Sequence, residues 1–310
     1  MGNRARRPLS HSVKSTTLNT EKRNPRTRGI DRLATREMMR AMNREDAGVA
    51  QAVERAIPQI AHAVEVIAEA LRNGGQLIYV GAGTSGRLAA LDAAECPPTF
   101  GVPRGTVVAL IAGGRRALTA AVEGAEDDAA AGIRDLRRAG CSRRDVAVGL
   151  SASGSTPYVL GALEYARRSG ARTVGVTCNR ATALGRSAHI AIVAETGPEA
   201  IAGSTRLKAG TAQKLILNML STGAMIRLGK VYDNWMIGVA QTNRKLQVRA
   251  LGILCQASGA RRAAAGRALA AARGDLRLAL VILKRGLSRR DAQFALAAAG
   301  GNLRLALGER

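Results

Sequence analysis

Aromatic side chains are nearly missing from this 310-residue chain: it has two Phe, four Tyr and one Trp. So few rings argue against a protein that stacks single-stranded bases on aromatic platforms. Histidine and cysteine are equally sparse. Cys96, Cys141, Cys178 and Cys255 lie far apart with no C-x-x-C pair, and His11, His62 and His189 add no metal-ligand spacing. Reduced, structural cysteines are therefore expected, with no metal and no other cofactor. No apolar run reaches the roughly 18–20 residues of a membrane helix. The basic residues 1–7 lead into a polar stretch where a secretory leader would be apolar. A cytoplasmic protein with no membrane partner is the expectation.

What the chain has in excess is arginine. Only seven of its 47 basic residues are lysine, and with 23 acidic residues the net charge is +24. The arginines are spread along the whole length, often in Ala-rich stretches such as residues 260–273. A nucleic-acid footprint would be a patch or stripe, so no nucleic-acid partner is expected. Solvated basic faces in an Arg- and Ala-biased chain are the favoured reading of the charge, and attraction of an anionic small molecule is the alternative. Residues 3–28 alone read as a basic tail, disordered until near Asp31. With 46% hydrophobic and 23% charged residues the remainder is globular rather than disordered, and long enough for a sizeable core.

Periodicity divides that remainder. Over residues 31–72, Met38, Met39, Met42, Val49, Val53, Ile57, Ile60, Val64, Ile67 and Leu71 recur at helical steps until Asn73-Gly74-Gly75 stops the run. Five short apolar segments follow, at 77–80, 107–111, 146–150, 174–177 and 190–193, each leading through small residues into a helical stretch. Such alternation predicts an α/β fold: a doubly wound, five-stranded parallel sheet covered on both faces. Residues 205–228 and 235–254 read as helices. Beyond them, residues 270–280 are echoed at 297–307, where Gly can close one helix and Asp275 or Asn302 can cap the next. The expected organisation is a tail at 1–19, an N-terminal helical segment at 20–66, the α/β domain at 67–230 and a small C-terminal helical bundle at 231–310.

Two loops carry chemistry. Gly81-Ala82-Gly83-Thr84-Ser85-Gly86 fits G-x-G-x-x-G, but the second strand ends Ile111-Ala112-Gly113-Gly114-Arg115, without the carboxylate that would hold a dinucleotide ribose. What the loop does offer is two hydroxyls among glycines at a helix N-terminus, which favours an anion. A second loop, Ser151-Ala152-Ser153-Gly154-Ser155-Thr156-Pro157, has the same chemistry after the third strand. Together they suggest that a phosphate and a polyol bind side by side, with Gly83, Thr84, Ser85, Ser153, Gly154, Ser155 and Thr156 as contacts. N-caps and turns are the alternative use of such residues. Among carboxylates, Glu95 precedes Pro97-Pro98, a pair expected to end its helix and stiffen the exit. Glu123 and Glu126 belong to an acidic run, 121–128, that would by itself pass for a solvated, dipole-favoured helix start.

Blocks 20–25, 81–87, 92–100, 122–127, 153–158 and 203–214, taken in order, resemble the N-acetylmuramic acid 6-phosphate etherases, bacterial enzymes of the sugar-isomerase (SIS) fold. The likeness runs from about Thr20 to the C-terminus, and Thr205 and Leu207 are its conservative variants. It implies cleavage of the D-lactyl ether of N-acetylmuramic acid 6-phosphate to N-acetylglucosamine 6-phosphate and D-lactate, in cell-wall amino-sugar recycling. It also implies a homodimer, by analogy with SIS relatives whose sites lie near a subunit boundary. By motif, the catalytic carboxyls fall on Glu95 and Glu126, the former being the residue usually assigned as proton donor.

In the open-chain sugar the carbonyl acidifies the proton on carbon 2, and lactate leaves from carbon 3. Elimination and re-addition of water need one general acid and one general base, roles two carboxyls can share without a metal or nicotinamide. Sharing one cleft, the two carboxyls would have split pKa values. Lys208, at the start of the 205–228 helix, is a candidate partner for phosphate or lactate carboxylate, or else a residue on a solvated face. Two other readings compete: a non-catalytic, sugar-phosphate-sensing regulator of the same fold, which would not need both Glu95 and Glu126, and an aldose–ketose isomerase, which would release no lactate.

Overall fold

Side chains of successive strand residues point to opposite faces, and here both sets are buried. Leu77, Tyr79, Val146, Val148, Leu150, Val174 and Val176 join one core, while Ile78, Val80 and Ala147 join a second. The computed structural model describes residues 18–239 and 244–309. Three helices come first, α1 (Thr35–Asp46), α2 (Val49–Glu54) and α3 (Ile57–Arg72), followed by β1 (Leu77–Gly81), α4 (Gly83–Phe100) and β2 (Val107–Ile111). Next come α5 (Ala129–Arg138), β3 (Val146–Leu150), α6 (Pro157–Arg168), β4 (Arg172–Thr177), α7 (Ala183–Ser187), β5 (Ile190–Val193) and α8 (Lys208–Arg227).

The strands form a five-stranded parallel sheet in the order β2-β1-β3-β4-β5. The chain first winds outward from β1 to β2, then returns past β1 to β3. Because crossovers keep one hand, this reversal puts α4 on one face of the sheet and α5 and α6 on the other. Residues of α3 and α8 join those of α4 in the first core, and residues of α5, α6 and α7 make the second. Order 2-1-3 places the topological switch point between β1 and β3, where doubly wound sheets bind ligands.

Several expectations need correction. The helical run at 31–72 is three helices, broken at 47–48 and 55–56, and Pro58 in the first turn of α3 marks the second restart. The basic stretch is ordered well before Asp31. From Leu18 onward it packs through 3-10 turns at Asn19–Glu21, Pro25–Thr27 and Ile30–Arg32, with Thr20, Asn24 and Thr27 buried. Pro97-Pro98 does not end α4, which continues to Phe100. Proline φ suits a helix, and in the last turn the missing N–H groups affect only two carbonyls. Gly101 (φ 64°) closes the helix, its N–H reaching Pro97 O at 3.0 Å.

The segment read as a helix from 235 begins instead as a hairpin of β6 (Val231–Tyr232) and β7 (Trp235–Met236), and its helix, α9, spans Arg244–Ser258. The sequence echo is a pair of helical hairpins, α10 (Arg262–Ala271) with α11 (Leu276–Arg285) and α12 (Arg289–Ala298) with α13 (Leu303–Leu307). Asp275 accepts the N–H groups of Arg277 and Leu278, and Asn302 that of Leu305. With α9 and the hairpin these helices enclose a third core around Leu254, Leu278 and Leu280. Among the described residues no helix is long and apolar enough to cross a membrane.

Candidate active site

Gly81 at the end of β1 pairs with Leu150 at the end of β3, so the two small-residue loops leave the sheet side by side. The glycine pattern of the first loop is steric. A Cβ on Gly81 would lie 2.7 Å from the Gly86 nitrogen, and one on Gly86 would lie 2.5 Å from Ile111 Cγ1. These glycines let α4 start against β1 and β2, with Thr84 and Ser85 half-buried at the helix end.

Five helices start at this edge of the sheet, and their first turns differ; Asp128 caps α5 by accepting the Ala131 N–H. Thr182 caps α7 by accepting the Gly185 N–H. Glu199, fully buried, caps α8 by accepting the N–H groups of Lys208 and Ala209, both at 2.9 Å; burial raises its pKa. The two helices at the switch point, α4 and α6, have no side-chain cap. At α4 the N–H groups of Gly83, Thr84 and Ser85 therefore remain available to an anion, whereas at α6 Pro157 has no N–H and Val159 and Leu160 donate to the carbonyl of Thr156, so that loop offers its hydroxyls instead.

The second loop is a chain of hydroxyls. Ser151 Oγ lies 2.8 Å from Thr156 Oγ1 and 3.2 Å from Ser153 Oγ, which is 2.9 Å from Ser155 Oγ. The Gly154 N–H donates to Ser151 Oγ at 3.0 Å. Gly154 has φ +70°, and Thr182 fills the space a Cβ would need. A hydroxyl can turn from a neighbour to a ligand oxygen at little cost, so this row can serve a phosphate or a sugar.

The acidic run reaches the same edge. Val122 packs on the left-handed Gly113, two residues beyond β2, and Glu126 lies in a 3-10 turn, Ala125–Asp127. Glu126, Glu123, Ala82, Gly83 and Arg87 line one cleft of about 160 Å³. That is smaller than the roughly 300–1,000 Å³ of small-molecule sites. Arg87 is committed to this wall, donating to the carbonyls of Ala117, Leu118 and Ala120.

Glu95 is elsewhere. It is exposed on α4, twelve residues beyond Gly83 and so about 18 Å down the helix at 1.5 Å per residue. One chain does not bring Glu95 and Glu126 into a common cleft. One turn before it, Asp92 is buried, accepting from Tyr79 Oη at 3.0 Å and Ser221 Oγ at 3.1 Å. That bond set ties α4 to β1 and α8 and fixes the face on which Glu95 projects; burial raises the Asp92 pKa.

Lys208 is not on a solvated face, and its ammonium is already paired. It is 2% exposed, with Nζ 2.8 Å from Glu45 Oε2. Glu45 also takes Arg26 and Asn24, and the Arg26 hydrogen bond leads in holding its carboxyl at about 2. Sequence reasoning missed Glu45, Glu199 and the packing of residues 20–27 against this edge. The acidic residue ahead of an uncapped helix start was the one available signal, for Glu199. Cys96, Cys141 and Cys178 are buried, which pushes each thiol up to about 12.

Known proteins give this arrangement a family. An N-acetylmuramic acid 6-phosphate etherase of Serratia proteamaculans (strain 568) is 53% identical over 274 residues, 88% of this chain and 92% of its own. Another of Yersinia pestis (strain Pestoides F) is 53% identical over 271 residues, 87% and 92%. The chain belongs to the N-acetylmuramic acid 6-phosphate etherase family. The SIS domain model matches residues 125–222 of this etherase-family chain, and the glucokinase regulatory protein N-terminal SIS domain model matches 59–167. A phosphoheptose isomerase structure from Francisella tularensis is similar at 18% identity and a TM-score of 0.46, over 62% of this chain and 96% of that one.

Proposed function

We propose that this chain cleaves the D-lactyl ether of N-acetylmuramic acid 6-phosphate, giving N-acetylglucosamine 6-phosphate and D-lactate. The observation that carries the site is the uncapped start of α4 beside the hydroxyl loop that leads into α6, the two side by side at the switch point and fringed by Thr84, Ser85, Ser153, Ser155 and Thr156. Phosphate takes the first-turn N–H groups of α4 and the hydroxyls of both loops, with Gly83 leaving open space for the backbone to approach and Gly154 making room for Thr182. The acidic turn with Glu126 lies along the same edge. The 53% identity to etherases favours this reaction over an isomerase or a non-catalytic regulator.

The chemistry follows from the substrate. With the sugar ring open, one carboxylate removes the proton on carbon 2 while a carboxylic acid protonates the ether oxygen on carbon 3. Lactate departs and leaves a carbon 2–carbon 3 double bond conjugated to the aldehyde. Water then adds to carbon 3, and carbon 2 regains a proton. The balance is hydrolysis, and the two carboxyls exchange acid and base roles between the halves. Glu95 is assigned the acid at the leaving oxygen and Glu126 the base or charge partner.

About 18 Å of helix between Glu95 and the loops means that these two carboxyls meet only if a second copy supplies one of them. A homodimer is therefore part of the proposal. Leu91, one turn before Glu95 on the same side of α4, is 47% exposed, as an interface residue would be in a lone chain. Nucleic acid and membrane have no place in it.

The test is D-lactate release from N-acetylmuramic acid 6-phosphate in the presence of a chelator, for the wild type, Glu95→Ala and Glu126→Ala. Release by the wild type, lowered about 10²–10⁴-fold in each variant, is the expected result. A folded wild type that binds the sugar phosphate but releases nothing makes the chain a regulator instead.

A further inference from the structure

Residues 20–24 run along the carboxyl edge of the sheet from the loops after β3 and β4 toward the loop after β5. Thr20 is fully buried: its N–H donates to Asn179 Oδ1 at 3.4 Å, and its Oγ1 accepts from Asn179 Nδ2 at 3.1 Å. The same Asn179 Nδ2 donates to the carbonyl of Ala152, between Ser151 and Ser153, at 2.9 Å. At the other end Asn24 donates to the carbonyl of Pro198 and to Glu45, which in turn holds Lys208 at the start of α8. The segment is thus a strap tied to the loop after β3 and to the loop that leads into α8.

Between the two buried anchors stand Glu21, Lys22 and Arg23, all exposed. Lys22 Nζ is held by Asn19 Oδ1 at 2.8 Å. The Glu21 carboxylate lies against the left-handed Gly203, 3.2 Å from where a Cβ would stand. A few residues on, α8 meets α4: a Cβ on Gly210 would be 3.5 Å from Thr84 Cγ2. Glu21 therefore borders the approach to α8, the helix that reaches Thr84, and stands one residue from the Thr20 that Asn179 ties to the loop with Ser153. Its N–H closes a turn on Leu18 O, while among the described residues its carboxylate takes no hydrogen bond and no ion pair.

We propose that this strap is a wall of the reaction site and that the Glu21 carboxylate binds hydroxyls of the sugar. The inference rests on the etherase reading for its substrate. An ionised carboxylate only accepts hydrogen bonds and repels the phosphate and the lactyl carboxylate. Its partners on this substrate are hence the neutral donors, the chain hydroxyls between the phosphate and the reacting carbons. Since the product keeps those hydroxyls, Glu21 serves substrate and product alike, as a binding residue separate from the carboxyls that move protons.

The experiment compares the full-length wild type with Glu21→Ala and Glu21→Gln by three measurements: the thermal midpoint, kcat and KM for D-lactate release, and calorimetric binding of N-acetylglucosamine 6-phosphate. The expected result is an unchanged midpoint, as for surface substitutions generally. Glu21→Ala then lowers kcat/KM and product affinity by about tenfold or more, the scale of one hydrogen bond to a charged group, and Glu21→Gln falls between. Product affinity within twofold of the wild type overturns the proposal, whether or not kcat has changed. A wild type that releases no D-lactate overturns the etherase reading instead, and the binding comparison still decides the role of Glu21.

Discussion

Two inactive proteins should make an active one. If each site takes Glu126 from one chain and Glu95 from its neighbour, a dimer of Glu95→Ala with Glu126→Ala has one site lacking both carboxyls and one with both intact. Random re-pairing of equal amounts gives half mixed dimers, each with one working site, so the mixture should recover about a quarter of wild-type activity per chain. The basis is the length of α4: Glu95 lies about 18 Å from the loop end of the helix, whereas Glu126 shares a cleft with Gly83 at that end. No side-chain rotation closes such a gap, because a glutamate reaches only a few ångströms from its helix. The assay is D-lactate release after the two variants are denatured and refolded together, or co-expressed with different tags and purified as the mixed species. Each variant alone should stay orders of magnitude below the wild type. If mixed dimers form and the activity remains at the level of the separate variants, each chain builds its site alone and the two-copy arrangement is refuted.

Two further predictions concern the buried ion pair beside the site. Lys208→Met leaves Glu45 to Arg26 and Asn24; removing one partner of a buried pair should cost about 3 kcal/mol of stability in urea unfolding, with KM changed less than about threefold. A large rise in KM at unchanged stability would return Lys208 to the ligand. Glu45, held at about 2 by Arg26, Lys208 and Asn24 against burial, has a folded pKa below its unfolded value of about 4.3. The stability it adds is complete above the unfolded value and is lost as pH falls toward 2. Glu45→Gln should flatten the acid limb of a urea-midpoint profile between pH 5.5 and 3, and an unaltered slope would refute the assignment.

The five strands were legible because a parallel sheet covered on both faces needs continuous apolar runs, and each run, such as Val146–Leu150, ends in small residues. Their observed bounds lie within two residues of those expected. The repeat at the C-terminus was legible for a different reason: Asp275 and Asn302 are cap residues set beside glycines, so local chemistry alone marks the helix starts. Where periodicity had to fix boundaries it failed. An apolar pattern at steps of three and four continues across the breaks between α1, α2 and α3, although only α2 and α3 lay their apolar side on the first core, and only Pro58 signalled a restart. The hairpin at Val231–Met236 is too short to show a period of two.

The site divides along the same line. Loops are legible when their chemistry is local: hydroxyls and glycines between strand and helix say where an anion can sit, and the register of β1 against β3 brings the two loops together. Long-range pairing leaves no such trace. Nothing near Lys208 in sequence names Glu45, 163 residues away, and nothing near Thr20 names Asn179, 159 residues away. The Glu95–Glu126 pair is the extreme case. The family resemblance assigns both residues, the sequence places each on its own helix or turn, and in the structure α4 carries Glu95 about 18 Å along its length from the end where Glu126 shares a cleft with Gly83. A carboxyl pair that two-proton chemistry requires and one chain separates is itself an argument for a second chain.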